Sequence, residues 1–176
     1  MTLISEHADT RSRPWLRYGA ATAAVTATAL AGTRAVDADS TWYTSLRKPP
    51  WQPPSQAFGP VWTALYATIA YAGGRALGTS RERRRSVRLA ASLAVNLTLN
   101  AGWSHLFFAR HSPGAGLAGT VLLDLSTAEL IHRTARHDRT AALVLLPYAA
   151  WCAFATALNA SIVRRNADTE AVQRPA

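Results

Sequence analysis

The sequence predicts an all-α fold, a bundle of five transmembrane helices, and three observations carry that reading. Charges are clumped: residues 49–74, 89–109 and 141–163 are runs of 26, 21 and 23 residues without Lys, Arg, Asp or Glu. A membrane-spanning helix needs roughly 20 apolar residues. The 18 arginines and single lysine, Lys48, bracket these runs instead of lining one helix face. That is the pattern of membrane-helix flanks and not of a nucleic-acid interface. Within the runs, aromatic and amide side chains recur at helical spacing. The five histidines are scattered, and no metal-ligand spacing, GxSxG, phosphate loop or dinucleotide fingerprint is present. No metal site is expected and no cofactor is obligatory. The lone Cys152 excludes a disulfide within the chain.

In order, residues 1–14 read as a polar, disordered tail. Helix 1, over 15–36, is rich in Ala, Gly and Thr, which suits close helix packing in lipid. Arg11, Arg13 and Arg17 ahead of it, with the AVDA that follows, also have the shape of a secretory leader; the later spans favour a retained helix. Residues 37–57 form a connection in which Pro49, Pro50, Pro53 and Pro54 keep 47–57 extended and stiff. Helix 2, over 58–77, carries Phe58, Trp62, Tyr66 and Ile69 on one face, and RERRR at 81–85 ends it. Helix 3, over 86–109, carries Asn96, Asn100, Trp103 and Phe107 as a stripe. Amides are costly in hydrocarbon unless hydrogen-bonded, so that stripe must face other helices or a cavity.

Helix 4, over 113–133, encloses Asp124 and Glu129. Helix 5, over 138–163, carries Tyr148, Trp151, Ala155, Asn159 and Ile162, with a kink expected at Pro147. Residues 15–166 thus make the membrane domain and 167–176 a frayed polar tail. Five spans assign 12 of the basic residues to the side of the N-terminus and 7 to the other. The positive-inside rule then puts the N-terminus in the cytoplasm and the C-terminus outside.

Trp62, Tyr66, Trp103, Tyr148 and Trp151, with Asn100 and Asn159, place flat π-surfaces and a few amides on three helices. Such a mixture suits a pocket for a flat, mostly apolar molecule with polar edges, a tetrapyrrole or a sterol. Asp124 either lines that cavity or caps an interhelical hydrogen bond, and Glu129 pairs with Arg133 one turn on. His105 is either a haem ligand or a hydrogen-bonded packing residue.

WYTSLRKPPWQPPSQAFGPVWTALY at 42–66 resembles the loop-to-helix-2 motif of the TspO family, the tryptophan-rich sensory proteins related to the mitochondrial translocator protein (peripheral benzodiazepine receptor). NLTLNAGWSHLFF at 96–108 and AALVLLPYAAWCAFATALNASIVRRN at 141–166 resemble its helix-3 and helix-5 motifs. The resemblance covers about residues 15–166. It implies an integral membrane protein of the bacterial cell membrane, a homodimer, that binds protoporphyrin IX or haem between its helices under the loop after helix 1. Such a protein is a receptor or carrier in porphyrin handling and stress regulation. The alternatives are light- and oxygen-dependent porphyrin degradation, with Trp62 and Trp151 as the catalytic pair, and small proton-coupled transport.

By the same resemblance the ligand-binding residues include Trp42, Tyr43, Pro49, Trp62, Tyr66, Asn100, Trp103, Tyr148 and Trp151. Phe58 and Ala155 join them from the stripes, and Asp124 as an intramembrane carboxylate. The partners implied are the porphyrin or another flat hydrophobic molecule, the lipid bilayer and a second copy, with no nucleic acid. Three features depart from the family pattern: Asn96 stands where the family usually has Gln, His105 stands where a proline or apolar residue is common, and no basic residue follows Tyr148 within five positions. The last removes the family's sterol motif.

Overall fold

Prolines and short polar side chains set the helix boundaries. The computed structural model describes residues 14–79 and 82–172. Of the expected tail at 1–14, residues 1–13 lie outside them, as do Ser80, Arg81 and residues 173–176, while Pro14 begins the first helix. Among the described residues the fold is all-α, without strands. Five helices have 20 residues or more: α1 (Pro14–Thr33), α3 (Ser55–Thr79), α4 (Arg83–Ser104), α5 (Pro113–Ala135) and α7 (Leu146–Val172). Two short helices, α2 (Thr41–Ser45) and α6 (Arg139–Val144), precede α3 and α7.

Three N-caps follow one rule. The side chains of Ser40, Ser112 and Asp138 accept from the backbone N–H three residues on, in Tyr43, Ala115 and Ala141. Pro113 stands just after its cap, where a missing N–H costs nothing.

Several boundaries differ from the sequence expectation. The connection after α1 holds the short α2, capped by Ser40, ahead of the stretch at 47–57 that was expected to be extended. Ser55 already begins α3, so Pro60 lies inside that helix, in its second turn, where the Gln56 carbonyl loses its helical donor. The basic run does not stop at the end of a helix. Arg83, Arg84 and Arg85 open α4, exposed, with their guanidinium groups carried outward on long stems. The expected single kinked helix over 138–163 is two helices, since Pro147 offers no N–H to the Leu143 carbonyl and α6 closes at Leu145. The last helix also runs past 166, to Val172.

At the end of α4 the backbone widens into a π-turn, His105–Ala109, closed by the Arg110 N–H on the His105 carbonyl at 3.1 Å. Phe107 there presses on α5 at Gly116. A Cβ added at Gly116 would come within 2.5 Å of the Phe107 ring, so only glycine admits this approach.

Around the bundle α1 lies between α3 and α4, α5 between α4 and α7, and α6 bridges α5 and α3. The arginine-rich end is filled by aliphatic side chains, Ile69, Leu89, Leu93, Leu130 and Leu145 among them. The opposite end is aromatic, with Phe107, Leu158 and Ile162 packed against Trp42, Tyr43, Phe58, Trp103, Phe108 and Phe154.

By length and apolarity, the helical stretches Pro113–Ala135 and Arg139–Ala167 are able to cross a membrane. The runs at 58–77 and 86–109 are uncharged for most of their length, but Trp, Tyr, Asn, Thr and Gly dilute their apolarity. Freedom from charge and hydrophobicity are thus different tests. Exposed Leu122, Leu125, Val95, Leu143 and Leu146 point away from the bundle, as lipid-facing side chains do.

Asp138 ties α6 to α3. It caps α6, and its Oδ2 accepts from Arg75 Nε at 2.7 Å. The Ala141 N–H and then Arg75 hold its carboxyl below the usual carboxylate range, against an opposing effect of burial. A depressed carboxyl pKa stabilises the fold above the unfolded value of about 3.9, and that contribution is lost as pH falls through the folded value. Asp138→Ala should therefore lower stability by about 1 kcal/mol at neutral pH, and Asp138→Asn, which keeps the cap, by less. Thermal melts in detergent should show the difference from wild type closing below about pH 4. A constant difference into strong acid would contradict this role.

Candidate functional site

The helix ends that meet at the aromatic pole do not close on each other. A cavity of 450 Å³ lies between α1, α3, α4 and α7, beneath the connection that follows α1. Its walls are Phe58, Trp62 and Tyr66 of α3, Asn100 and Trp103 of α4, Phe107 and Phe108 of the π-turn, and Leu158, Asn159 and Ile162 of α7. Val36, Ala38, Tyr43 and Gln52 form the roof. Small side chains, Ala29 and Gly32, keep α1 from filling the space. None of the lining residues is charged. A smaller hollow of 50 Å³ adjoins it, bounded by Trp62, Trp103, Trp151, Phe154 and Ala155.

The aromatic wall is continuous. Trp62 meets Tyr66 at 5.3 Å between ring centroids, Tyr148 at 6.4 Å and Trp151 at 6.5 Å, the last nearly perpendicular at 85°. Trp103 stacks on Phe107 at 5.6 Å, and Phe58 meets Trp151 edge-on at 5.8 Å. These separations are those at which ring quadrupoles attract.

From Tyr66 and Asn100 in the wall, a chain of hydrogen bonds runs back into the bundle. Tyr66 Oη donates to Asn100 Oδ1 at 2.8 Å, and Asn100 Nδ2 donates to Tyr148 Oη at 3.2 Å. Tyr148 Oη donates to Asn96 Oδ1 at 3.0 Å, and Asn96 Nδ2 donates to Thr127 Oγ1 at 3.0 Å. Five side chains from α3, α4, α5 and α7 are joined, and Asn96 and Tyr148 have no exposed surface. This satisfies Asn96 and Asn100, the amides whose stripe had to be hydrogen-bonded.

The roof is fastened at both ends. Trp42 stacks on His111 at 4.8 Å and packs edge-on against Phe107 at 5.4 Å. Tyr43 Oη accepts from Gln52 Nε2 at 3.2 Å, and Lys48 Nζ sits 4.0 Å over the Tyr43 ring. Burial pushes the Tyr43 phenol up, partly offset by the Gln52 bond, and lowers the Lys48 ammonium. The buried Asn166 clamps the roof's backbone: its Oδ1 accepts from the Arg47 N–H at 3.0 Å, and its Nδ2 donates to the Arg47 carbonyl at 3.1 Å and to that of Ile162 at 2.8 Å.

Of the expected site residues, Tyr43, Phe58, Trp62, Tyr66, Asn100 and Trp103 line the main cavity. Trp151 and Ala155 line the adjoining hollow. Tyr148 lies behind the wall, Trp42 packs on the outside of the π-turn, and Pro49 is buried within the connection. Asp124 is away from both spaces: its Oδ2 accepts from Thr156 Oγ1 of α7 at 2.6 Å. Glu129 is bonded to Arg133. His105 is exposed and lines neither space.

Sequence reasoning missed Gln52 and Asn166. Asn166 continues the 155, 159, 162 stripe of α7 by one more turn, and that spacing was the signal for it. Three buried side-chain atoms lack a hydrogen-bond partner among the described residues: Gln52 Oε1, Trp103 Nε1 and Asn159 Oδ1. All three belong to cavity-lining residues. Unsatisfied buried polar atoms are rare in folded proteins, and here they gather around one space.

A sequence model described as the TspO/MBR family matches residues 20–165. The chain belongs to the TspO/MBR family. Its relatives include the tryptophan-rich protein TspO of Chlorobaculum tepidum, 39% identical over 127 residues, which are 72% of this chain and 80% of that protein. The TspO of Archaeoglobus fulgidus is 40% identical over 129 residues, 72% of this chain and 81% of its own. The translocator protein of Homo sapiens is 32% identical over 157 residues, 87% of this chain and 92% of its own. As a TspO/MBR family chain it is a membrane protein, and the matched span contains every residue of the aromatic wall and of the hydrogen-bond chain.

Because Asn166 holds Arg47 by both its N–H and its carbonyl, Asn166→Ala should loosen the roof without unfolding the bundle. Two hydrogen bonds of about 1 kcal/mol each imply that the Arg47 amide should exchange with solvent at least tenfold faster. Amides of α5 should be unaffected. Unchanged exchange at Arg47 would show that other contacts hold the roof.

Proposed function

We propose that this TspO/MBR family protein binds a tetrapyrrole of the protoporphyrin IX or haem type in the aromatic cavity, as a membrane receptor or carrier in porphyrin handling and stress regulation. One observation carries the reading: an uncharged hollow of 450 Å³, walled by Trp62, Trp103, Phe58 and Phe107 and roofed by a proline-stiffened connection. The volume lies within the roughly 300–1,000 Å³ of ligand pockets generally. Flat aromatic walls favour a flat apolar guest by stacking, and the roof's stiffness reduces the ordering cost of closing over it. The residues fit the macrocycle better than its carboxylates. Charged edges belong at the roof, where Lys48 lies against Tyr43, because no basic side chain lines the interior. No histidine or cysteine lines the main cavity either, so the site offers stacking and amide hydrogen bonds in place of axial ligation.

In this reading the five long helices cross the bilayer, α6 and α7 counting as one span. The arginine-rich end faces the cytoplasm of a bacterial cell, and two copies associate as a homodimer. A second reading, light- and oxygen-dependent porphyrin breakdown with the ligand as photosensitiser, is favoured by the edge contact of Trp62 with Trp151 beside the cavity. Proton-coupled transport through the cavity has less support, since Asp124 and Glu129 are engaged elsewhere with Thr156 and Arg133.

Titrating the detergent-purified protein with protoporphyrin IX in the dark should quench tryptophan fluorescence saturably. Trp62→Leu should weaken binding about threefold to tenfold, the loss of an aromatic contact of about 0.5–1.5 kcal/mol. Quenching that never saturates, or affinity unchanged in that variant, would count against the cavity as the site. Under illumination, a defined product lost in Trp62→Phe and in Trp151→Phe would select the second reading.

A further inference from the structure

At the arginine-rich end, far from the aromatic cavity, α4 and α5 part slightly and leave a surface groove of 430 Å³. Arg88, Ser92 and Val95 of α4 lie along one wall at helical spacing, and Ser126, Glu129 and Arg133 of α5 along the other. Asn96, buried between the two helices, donates to the hydroxyls of Ser126 and Thr127. Glu129 is bonded to Arg133. Arg88 has neither a hydrogen bond nor an ion pair among the described residues, although it stands one turn inside the helix from the exposed Arg83, Arg84 and Arg85.

We propose that this groove seats the headgroup of an anionic phospholipid. Three features point to that one occupant. The groove carries two guanidinium groups against one carboxylate, and on the turn beyond it Arg83, Arg84 and Arg85 outnumber Glu82, which pairs with Arg85, so its field favours an anion. Guanidinium forks and serine hydroxyls are donors matched to phosphate oxygens. Towards the middle of the helices the same groove turns apolar at Val95, which is 55% exposed, and Leu122 and Leu125 on α5 are exposed at similar depth. A molecule with a phosphate at one end and acyl chains at the other satisfies both parts, whereas a free anion uses only the first. Basic pockets between membrane helices bind acidic lipid headgroups for this reason.

Retention of added phosphatidylglycerol and phosphatidylcholine by the detergent-purified full chain, measured by native mass spectrometry, tests the proposal. Phosphatidylglycerol should be retained preferentially. Arg88→Gln should reduce that retention about fivefold, which corresponds to the ~1 kcal/mol of one basic residue near an anionic surface. Glu129→Gln should increase it, because Arg133 is released from its carboxylate and the groove gains net positive charge. Arg165→Gln, at the other end of the bundle, should leave it unchanged. The opposite signs of the Arg88 and Glu129 variants separate a headgroup site from simple loss of fold. Equal retention of the two lipids, or no change in either variant, overturns the proposal. So does complete displacement of phosphatidylglycerol by millimolar inorganic phosphate, which would make the groove a free-phosphate site. A dimer that Arg88→Gln dissociates would make it an interface between copies and would overturn it equally.

Discussion

The chain of hydrogen bonds from Tyr66 through Asn100, Tyr148 and Asn96 to Thr127 is the constraint on which the rest of the structure depends. Apolar helices in lipid gain little by hiding hydrophobic surface from one another, because the surrounding hydrocarbon is as apolar as they are. Their association rests on close packing and on polar groups that find no partner elsewhere. Two asparagines and two tyrosines in this position cannot be left unpaired without loss. Each geometry that satisfies them brings α3, α4, α5 and α7 into one register. That register fixes which residues come next along each helix. Trp62 lies one turn from Tyr66, Trp103 nearly one turn from Asn100, and Trp151 nearly one turn from Tyr148. The polar chain therefore sets the wall of the cavity and contributes Tyr66 and Asn100 to its surface.

The bundle has two unlike ends. Leu, Ile and Ala fill the arginine-rich end, where small side chains let the helices approach. At the other end the same helices carry Trp, Phe and Tyr, whose large rigid rings prop them apart. Ala29 and Gly32 of α1 leave unfilled the space the rings enclose. Closure falls to the connection between α1 and α3, which Asn166 holds by its backbone and Trp42 and Tyr43 hold by their rings. The π-turn completes the arrangement, since the wider turn lets the consecutive Phe107 and Phe108 both face the hollow.

Much of this was legible in the sequence. The uncharged runs marked the long helices. The requirement that Asn96 and Asn100 be hydrogen-bonded marked their stripe as inward-facing, and the three tryptophans followed from spacing. What spacing reports is the face of a helix and not the depth behind that face, and for this reason Tyr148 was expected at the surface of the pocket and lies behind it. Asp124 shares its helix with the core, but only its rotation relative to α7 decides that it meets Thr156 and not the hollow. The clamp by Asn166 pairs a side chain with a backbone 119 residues away, just past the uncharged run that ends at 163. The π-turn and the short α2 are five residues each and rest on local hydrogen bonds, below what a hydrophobic pattern resolves.

A double-mutant cycle between Tyr148→Phe and Asn100→Leu, read as unfolding free energy in detergent, tests most directly whether the buried polar chain acts as a unit. Each single change strands a partner of the other, so the two losses should fall short of additivity by about 1 kcal/mol. Losses that add to within about 0.3 kcal/mol would mean that the tyrosine and the asparagine contribute independently. The aromatic wall would then owe its placement to packing alone.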